Sequence, residues 1–473
     1  MSRILVVLGA LFGVLALCGL PAAAQPVDVS MVAATSLGDR LPFGVLGDKP
    51  WRAEPGAEFV KVHIYPDAPV RLSKVEVESC GGPFKDVVGL FVNFDEFVAR
   101  LEGEGGDTDA VNLLAYRFEK PVDARSLTFN FQKNRPLCLA AIRLFDADGK
   151  RIATRTPELV SGKASASDTL EPADSYDVMN LFDSRFEYAW SSNQKAKGVW
   201  FAFSFDQPRT VRKLRIWNGY QRSDVHCWSN ARIKALRVEG DGGYASAINV
   251  SDDMGGQDIA LPRPFTGKSL KLIVTDFYPG KSWNNLALSE LRLSDGEGWF
   301  ILDPGKRLAA IAASNRQRFK AAKADGVLDR GLTGMRSESH KGGTLDKATS
   351  WSLRLRTDGS FFMDGRTTTS NYDLGEEKHD NVFALGNYTV LAAKSSEIKV
   401  KFFGIVRKTT RKAQIEMDCN GCGRDCNKAQ ASGDRSLIFH DFVTIKRTAK
   451  GAQVKNVSES PVLTFKTLDM ELE

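Results

Sequence analysis

The chain has 473 residues, a length that suggests roughly three domains of ordinary size. Its net charge is +6, to which Arg3 contributes +1, residues 25–301 contribute −3 and residues 302–473 contribute +8. Because this mild basic bias forms no clustered stripe, the sequence gives no support for a nucleic-acid partner.

The first 24 residues have the layout of a secretory signal peptide. A charged start is followed by an unbroken apolar run over residues 4–17, and cleavage is expected after Ala24. Cys18 leaves a lipoprotein alternative open, although the bulky Leu17 stands where a small residue would be expected. No later run approaches the ~20 apolar residues of a membrane span, so we predict a secreted or periplasmic protein without a transmembrane segment.

Residues 25–301 contain the same unit twice. Trp51 stands 18 residues before Pro69, and Trp190 stands 18 residues before Pro208. Two further segments of the first unit, "PVDARSLTF" and "LCLAAIRLF", match "PFTGKSLKL" and "LALSELRLS" of the second without a gap. The two tryptophans hold the same position in both units, which favours a place in the core.

The secondary-structure pattern of both units is that of short strands. Apolar and polar residues alternate between turns rich in Gly, Pro, Asn and Asp, which predicts antiparallel β-sandwiches. Residues 303–325 are instead rich in Ala, Lys and Arg, which predicts a linker helix. The expected fold class is all-β.

Cys80 and Cys138 are the only cysteines of the first unit. Cysteines of exported proteins form disulfides by default, so we predict that these two are linked. The bridge would join distant positions of the repeated frame.

The second unit resembles the discoidin-like (coagulation-factor type C) module known as the NADase-type glycan-binding, or NADase-translocation, domain. This resemblance implies a jelly-roll sandwich and a glycan-binding role, but no NADase activity. The segments that carry it are "FDSRFEYAW" (182–190), "LRIWNGYQRSD" (214–224), "NARIKALRVE" (230–239) and "LPRPFTGKSLKLIVTDFYPGKSWNNLALSELRL" (261–293).

The first unit resembles the same module more weakly. It has "SCGG" (79–82) in place of "NGYQ", it lacks the "YPGKSW" insertion, and Ala141 stands where the second unit has Glu290. Ligand binding is therefore expected of the second unit.

Two loops of the second unit have no counterpart in the first. Aromatic rings cover the apolar faces of sugars, and amides or charged groups pair with sugar hydroxyls. Both loops join frame strands, so a sandwich can bring them to one end, and we predict a glycan site there. Its residues are Tyr220, Gln221 and Trp228 in the first loop and Lys281, Trp283 and Asn284 in the second.

Three further residues of the second unit are candidates for specific roles. Trp217 ends a strand and either contacts ligand or caps the core. Asp183 lies in a loop where related discoidin modules often bind calcium, but one carboxylate falls short of six to eight oxygen ligands, so no metal is predicted. Glu290 is expected to hold a loop through backbone N–H groups.

The C-terminal segment also has a β pattern. "WSLRLRTDGSFFM" (351–363) predicts two strands joined by a tight Asp-Gly turn, and "ALGNYTVLAAKSSEIKVKFFGIV" (384–406) predicts another hairpin. The segment loosely resembles the lipocalin-like barrel. Lys399 and Lys401 alternate with apolar residues and should face solvent.

A cysteine-rich stretch, "CNGCGRDC", lies in this segment and favours a local disulfide over a Cys₃His zinc site. Cys227 then either pairs with this stretch or stays free. The ligands of the alternative zinc site would be Cys419, Cys422, Cys426 and His440.

The sequence as a whole predicts a secreted bacterial carbohydrate-binding protein that acts at a cell envelope or surface. We expect a glycan or cell-surface polysaccharide as partner, no cofactor and no catalytic residues, since no known catalytic motif is present. The alternative is a component of a secreted enzyme or toxin system whose C-terminal domain is catalytic or binds a small apolar ligand. The predicted domains span residues 28–150, 170–300, 303–325 and 330–473.

Overall fold

The computed structural model describes residues 26–472 except 37, 39, 54–58, 85–87, 94–95, 104–110, 133–136, 194–195, 329, 340–344, 372–375, 395, 415–429 and 460–466. In chain order these residues form two β-sandwiches, a helix and a closed β-barrel. The predicted all-β fold class is confirmed.

The first sandwich packs a six-stranded sheet, in the order β10-β1-β3-β8-β5-β6, against a four-stranded sheet, in the order β2-β9-β4-β7. Alternate residues of β4 such as Val75 and Val77 are fully buried between the sheets. The strands are β1 Val27–Ala34, β2 Trp51–Arg52, β3 Phe59–Pro66, β4 Val70–Ser79, β5 Val88–Val92, β6 Glu96–Leu101, β7 Leu113–Ala124, β8 Leu127–Gln132, β9 Cys138–Phe145 and β10 Thr154–Arg155.

The predicted disulfide between Cys80 and Cys138 is present. It links the residue that follows β4 to the first residue of β9, and these two strands are antiparallel neighbours in the four-stranded sheet. The bridge therefore closes one end of that strand pair.

The second sandwich is one sheet of nine strands in which β14 and β17 are the long central pair. Irregularities at Ser204/Arg209 and Val211/Lys213 interrupt their ladder, and such interruptions bend the strands. Its elements are β11 Glu158–Val160, β12 Gly162–Ala166, α1 Ala173–Tyr176, β13 Trp190–Ser191, β14 Trp200–Asn218, α2 Asp224–Ser229, β15 Arg232–Gly240, β16 Tyr244–Asn249, β17 Gly256–Tyr278, β18 Ala287–Ser294 and β19 Trp299–Leu302.

The equivalent tryptophans of the two sandwiches, Trp51 and Trp190, are fully buried, as predicted from their shared frame position. The Nε1 of Trp51 donates to the carbonyl of Arg40 at 2.8 Å, and that of Trp190 donates to the carbonyl of Asp168 at 3.1 Å. Each indole therefore contributes apolar area to the core while its one polar atom stays paired.

The C-terminal unit is a closed barrel of eight sequentially antiparallel strands. Its interior holds large apolar side chains such as Phe361 and Phe402, which stack with ring centroids 4.4 Å apart. The strands are β20 Gly331–Ser339, β21 Leu345–Leu355, β22 Ser360–Asn371, β23 Glu376–Lys394, β24 Glu397–Gln414, β25 Gln430–Arg447, β26 Gly451–Asn456 and β27 Thr467–Leu472.

The predicted linker helix, α3 (Gly305–Ala321), packs on this barrel. Phe319 is fully buried and meets Tyr388 of β23 edge-on at 6.0 Å between ring centroids. The helix is thus an integral part of the barrel's apolar core rather than a free connector.

The two sandwiches meet over a small apolar and charged contact. Trp217 packs against Met31 and Ala33 of β1, which settles its role as a buried packing residue. Beside it, Arg215 donates to Asp67 of the first sandwich at 2.5 Å, and the guanidinium is almost entirely buried. The charge pair and the indole together fix how the sandwiches sit.

The barrel is joined to the second sandwich by its Asp-Gly turn, the turn predicted at residues 358–359. Asp358 forms a fully buried ion pair with Arg185, with Nη2 and Oδ2 2.8 Å apart. The hydroxyl of Tyr188 also donates to the carbonyl of Asp358 at 2.9 Å. The turn is therefore inserted into the sandwich surface.

Candidate ligand-binding cleft

The two loops that distinguish the second sandwich lie side by side. The backbone N–H of Lys281 donates to the carbonyl of Trp228 at 2.9 Å, and that of Trp283 donates to Ser229 at 2.8 Å. A Cβ at Gly280 would collide with the carbonyl oxygens of Ser229 and Trp283, so this close approach requires glycine. The predicted convergence of the loops at one end of the sandwich is what the structure shows.

A cleft with a volume of about 230 Å³ opens where these loops face the barrel. The sandwich forms one wall, and the outer face of β24 and β25 forms the other. The residues that line it are Leu170, Glu171, Tyr176, Ser191, Tyr220, Arg222, His226, Asn230, Trp283 and Asn285 from the sandwich, and Lys401, Phe403, Gly404, Ile438 and His440 from the barrel.

Aromatic rings line both walls of the cleft. Tyr220 is only 4% exposed and packs in one apolar cluster with Tyr176 and with Phe403 of the barrel. Tyr176 and Phe403 stack with centroids 5.9 Å apart. Trp283, by contrast, is 37% exposed. Of these rings, Trp283 is therefore the best placed to stack on an incoming molecule.

Arg222 bridges the two walls. Its guanidinium lies 4.6 Å from the ring centroid of Tyr220 and 5.9 Å from that of Phe403. It donates to the carbonyl of Glu187 on the sandwich and to the side chain of Asn387 on the barrel. These contacts hold a positive charge at the cleft wall in a fixed orientation.

Two histidines from different units also meet in the cleft. Burial, the positive charge of Arg222 and the nearby His440 imidazole hold the pKa of His226 well below its ordinary value. The pKa of His440 is lowered by desolvation and by Lys401 and Arg222. Both imidazoles are therefore neutral at pH 7 and can each donate and accept one hydrogen bond.

The six residues predicted as the site occupy different settings. Tyr220 and Trp283 line the cleft. The side-chain amide of Gln221 is instead hydrogen-bonded within the protein: Nε2 donates to the carbonyl of Asn218, and Oε1 accepts from the backbone N–H of Gly255. Trp228 is covered by Arg232, whose guanidinium lies 5.0 Å from the indole centroid. The other two predicted residues, Lys281 and Asn284, are solvent-exposed.

Sequence reasoning missed most of the cleft. Tyr176 lies in a short helix with no strand pattern, and the barrel residues Phe403 and His440 come from a unit that the sequence does not place beside the sandwich. Arg222 stood next to two predicted residues, but nothing in the sequence indicated that its charge would point to another domain. These residues come together through packing between segments that are distant in the chain, and no pattern in the sequence indicates that packing.

Glu290 and Asp183 form a buried carboxyl pair behind the cleft. The backbone N–H of Arg185 donates to Glu290 Oε1 at 2.6 Å, as predicted for a loop-holding role, and also to Asp183 Oδ1 at 2.9 Å. Arg292, fully buried, donates to the other Glu290 oxygen at 2.8 Å. Burial and the neighbouring Glu290 raise the pKa of Asp183 well above its ordinary value.

Among the described residues, no group of three His, Cys, Asp or Glu side chains is arranged to hold a metal ion. Cys227 is a free thiol, and its burial raises its pKa to about 11. The cysteines of the C-terminal unit, Cys419, Cys422 and Cys426, lie outside the described residues.

Comparison with known proteins finds a family model that matches the second sandwich. Residues 157–294 match the family model of the NAD glycohydrolase translocation F5/8 type C domain, which confirms the resemblance seen in the sequence. None of the curated proteins compared with the chain matches it. In the part of the chain that the structure describes, no helix has the length and hydrophobicity needed to cross a bilayer.

Solved structures with some likeness to the chain include proteins with family 32 carbohydrate-binding modules and a lectin. The CBM32 and M60 catalytic domains of Clostridium perfringens ZmpB share 10% identity (TM-score 0.23), over 60% of this chain and 38% of that chain. The family 32 module of C. perfringens NanJ, solved with galactose, shares 12% identity (TM-score 0.23), over 28% and 92%. The fucolectin of striped bass, Morone saxatilis, shares 11% identity (TM-score 0.22), over 55% and 94%.

Proposed function

We propose that the protein is an exported, non-catalytic carbohydrate-binding protein whose glycan site is the cleft between the second sandwich and the barrel. The observation that carries the proposal is the composition of the cleft. It combines a partly exposed indole with fixed amides and imidazoles at the loop end of a discoidin-like sandwich. The match to the translocation-domain family supports the same conclusion for that sandwich.

The polar groups of the cleft suit sugar hydroxyls. Asn230 and Asn285 each use Nδ2 to hold a backbone carbonyl, that of His226 at 2.8 Å and that of Ser192 at 2.9 Å. No described residue donates to their Oδ1 atoms, which can therefore accept from ligand. Fixed acceptors beside an exposed aromatic ring match the hydroxyl rim and the apolar face of a pyranose.

The test of this site is Trp283→Ala in the full mature chain. Truncating an anchoring aromatic commonly costs ~2 kcal/mol of binding, so we expect about thirtyfold weaker affinity for whichever glycans the parent protein selects on a broad array of neutral and acidic oligosaccharides. Since Trp283 is 37% exposed, the melting temperature should stay close to that of the parent.

The matched control is Leu159→Ala, which removes a similarly exposed apolar side chain from β11, outside the cleft. It should bind as the parent does. Equal binding by Trp283→Ala, Leu159→Ala and the parent would place the site elsewhere. Failure of the parent to bind any glycan on the array would refute the proposed function itself.

The alternative function, a catalytic or small-molecule-binding barrel, has no specific observation in its favour among the described residues. The described interior of the barrel is packed with apolar side chains, and the cleft contains one carboxylate, Glu171.

Export has its own test. If the apolar N-terminal segment is a signal peptide, the mature chain begins at Gln25, and intact-mass spectrometry of the exported protein will show loss of the first 24 residues. A chain that begins at a diacylglyceryl Cys18 would instead establish the lipoprotein alternative.

A further inference from the structure

We propose that the sugar bound in the cleft is anionic and that the barrel supplies part of the surface that binds it. This inference rests on the proposed function and adds to it the chemical class of the ligand and the second domain that recognises it. It follows from the charges at the cleft and from the surface onto which the cleft opens.

The cleft carries an excess of positive charge. Arg222 lines it from the sandwich and Lys401 lines it from the barrel, while Glu171 is the one carboxylate among the described residues of the lining. Glu171 is exposed and accepts a hydrogen bond from the backbone of Ala173 at 3.2 Å. The described residues place no carboxylate within ion-pair distance of Arg222 or Lys401.

Arg222 is prepared for an anion. One face of its guanidinium is stacked near Tyr220, and its hydrogen bonds go to a backbone carbonyl and a neutral amide, so its charge is oriented but not neutralised. A guanidinium held in this way binds carboxylate or phosphate oxygens through charge-assisted hydrogen bonds. A neutral sugar would leave that charge without compensation.

Cationic and aromatic side chains also lie close together farther along the outer face of the barrel. Phe442 of β25 is 37% exposed and lies directly across from Lys401 of β24. The ammonium of Lys401 is 5.9 Å from the Phe442 ring centroid, and that of Lys399 is 6.0 Å from it. An aromatic ring with two lysines close to it suits the apolar face and the acidic substituents of a charged sugar chain that extends out of the cleft.

The groups that line the cleft favour one class of partner. The cleft offers hydrogen-bonding amides and imidazoles beside the cations, which a sugar uses and a flat anionic membrane does not. Since the cations lie on two different units, a polysaccharide must contact both walls, and its affinity depends on the barrel as much as on the sandwich.

The experiment compares polygalacturonate with its methyl-esterified form as probes, on the full mature protein. The two polymers share one backbone and differ in charge. We expect the acidic form to bind more tightly, with an affinity that falls as salt increases. Lys401→Gln should weaken binding of the acidic form about tenfold, because it removes a charge-assisted contact.

The control is Lys347→Gln, which removes the same charge from an exposed position on β21, a strand that does not line the cleft. It should bind as the parent does. Both variants alter surface-accessible lysines, and thermal melting will show that each is folded.

The possible results separate the two proposals. Equal binding of the two polymers, or no effect of Lys401→Gln, would overturn the anionic-ligand inference and leave glycan binding intact. Binding of neutral glycans alone on the broad array would do the same. If the parent protein bound phosphatidylglycerol vesicles but no glycan, both proposals would be overturned.

Discussion

Replacing Asp358 with alanine is expected to lower the free energy of unfolding by about 3–5 kcal/mol, because it leaves the buried Arg185 guanidinium without its counter-charge. Arg185 is 4% exposed and Asp358 is 2% exposed at the side chain, so water cannot replace the lost partner. Asp358 Oδ1 also accepts from the backbone and the hydroxyl of Ser360, at 2.8 and 2.6 Å, and these bonds shape the turn. Chemical denaturation at pH 7 measures the loss.

The loss of stability caused by Asp358→Ala should become smaller at low pH. Burial alone would raise the pKa of Asp358, but the charges of Arg185 and Arg356 outweigh it and hold that pKa below its ordinary value of 3.8. A carboxyl group whose pKa is lower in the folded protein than in the unfolded chain stabilises the fold at pH values above its unfolded-state pKa. This stabilisation is lost as the pH falls through its folded-state pKa. The difference in the free energy of unfolding between the parent and Asp358→Ala should therefore become smaller below about pH 4.

The control for burial is Asp276→Ala. Asp276 pairs with Lys234 at the same N–O distance of 2.8 Å, but both side chains are 49% exposed. Its loss should leave the melting temperature almost unchanged, since exposed pairs are screened by water. If Asp358→Ala melted as late as this control, the buried pair would not hold the barrel to the sandwich.

This buried pair matters for the cleft because the cleft has one wall on each unit. The Asp-Gly turn pins the barrel beside the loop that carries Arg185 and Tyr188, and Arg222 crosses to the barrel a short distance away. A rigid junction keeps the aromatic and charged groups of the two walls at fixed separations, which reduces the ordering required on binding.

The fold was largely predictable from the sequence because its signals are local or repeated. Alternation of apolar residues gave the strands, and the equivalence of Trp51 with Trp190 identified two buried frame positions before any contact was known. Cys80 and Cys138 were assigned to each other because the first unit offers each of them only one partner. These inferences need only neighbours within a strand or within a repeat.

The candidate site was predictable only in part. The two loops of the second sandwich were expected to converge, and they do. That Tyr220 would be covered by Phe403 was not predictable, since the two rings are held together by domain packing rather than by any pattern in the sequence. Asp358 is a similar case: an Asp-Gly turn is normally exposed, and here Arg185 draws it inward.

Gln221 is a residue that the sequence assigns to the ligand site and that the structure shows supporting its own loop. An amide in a variable loop of a glycan-binding fold is a natural ligand contact, yet both ends of its side chain are used to shape the loop itself. Residue type and loop position do not distinguish a group that faces solvent from one that supports its own backbone.

Removal of the disulfide is the second change with a large expected effect. Cys80 and Cys138 are 58 residues apart in the chain, and for a loop of that size the unfolded-state entropy model gives about 4 kcal/mol of stabilisation, within the usual range of ~2–5 kcal/mol. The native strands gain little from the bridge locally, because the backbone of Cys80 already donates to the carbonyl of Cys138 at 3.0 Å. The double variant Cys80→Ser/Cys138→Ser should therefore fold to the same sandwich but unfold at lower denaturant concentration.

The control for loss of cysteine is Cys227→Ser, because Cys227 is buried but not bridged. Equilibrium urea unfolding of exported protein, followed by tryptophan fluorescence, should show a much larger shift for the double variant than for Cys227→Ser. The slope with denaturant should also rise, since an unfolded chain without the bridge exposes more surface. Peptide mapping under non-reducing conditions provides the direct check. If it found Cys80 and Cys138 as free thiols in exported protein, the bridge would not form in the mature chain and the stability difference would vanish with it.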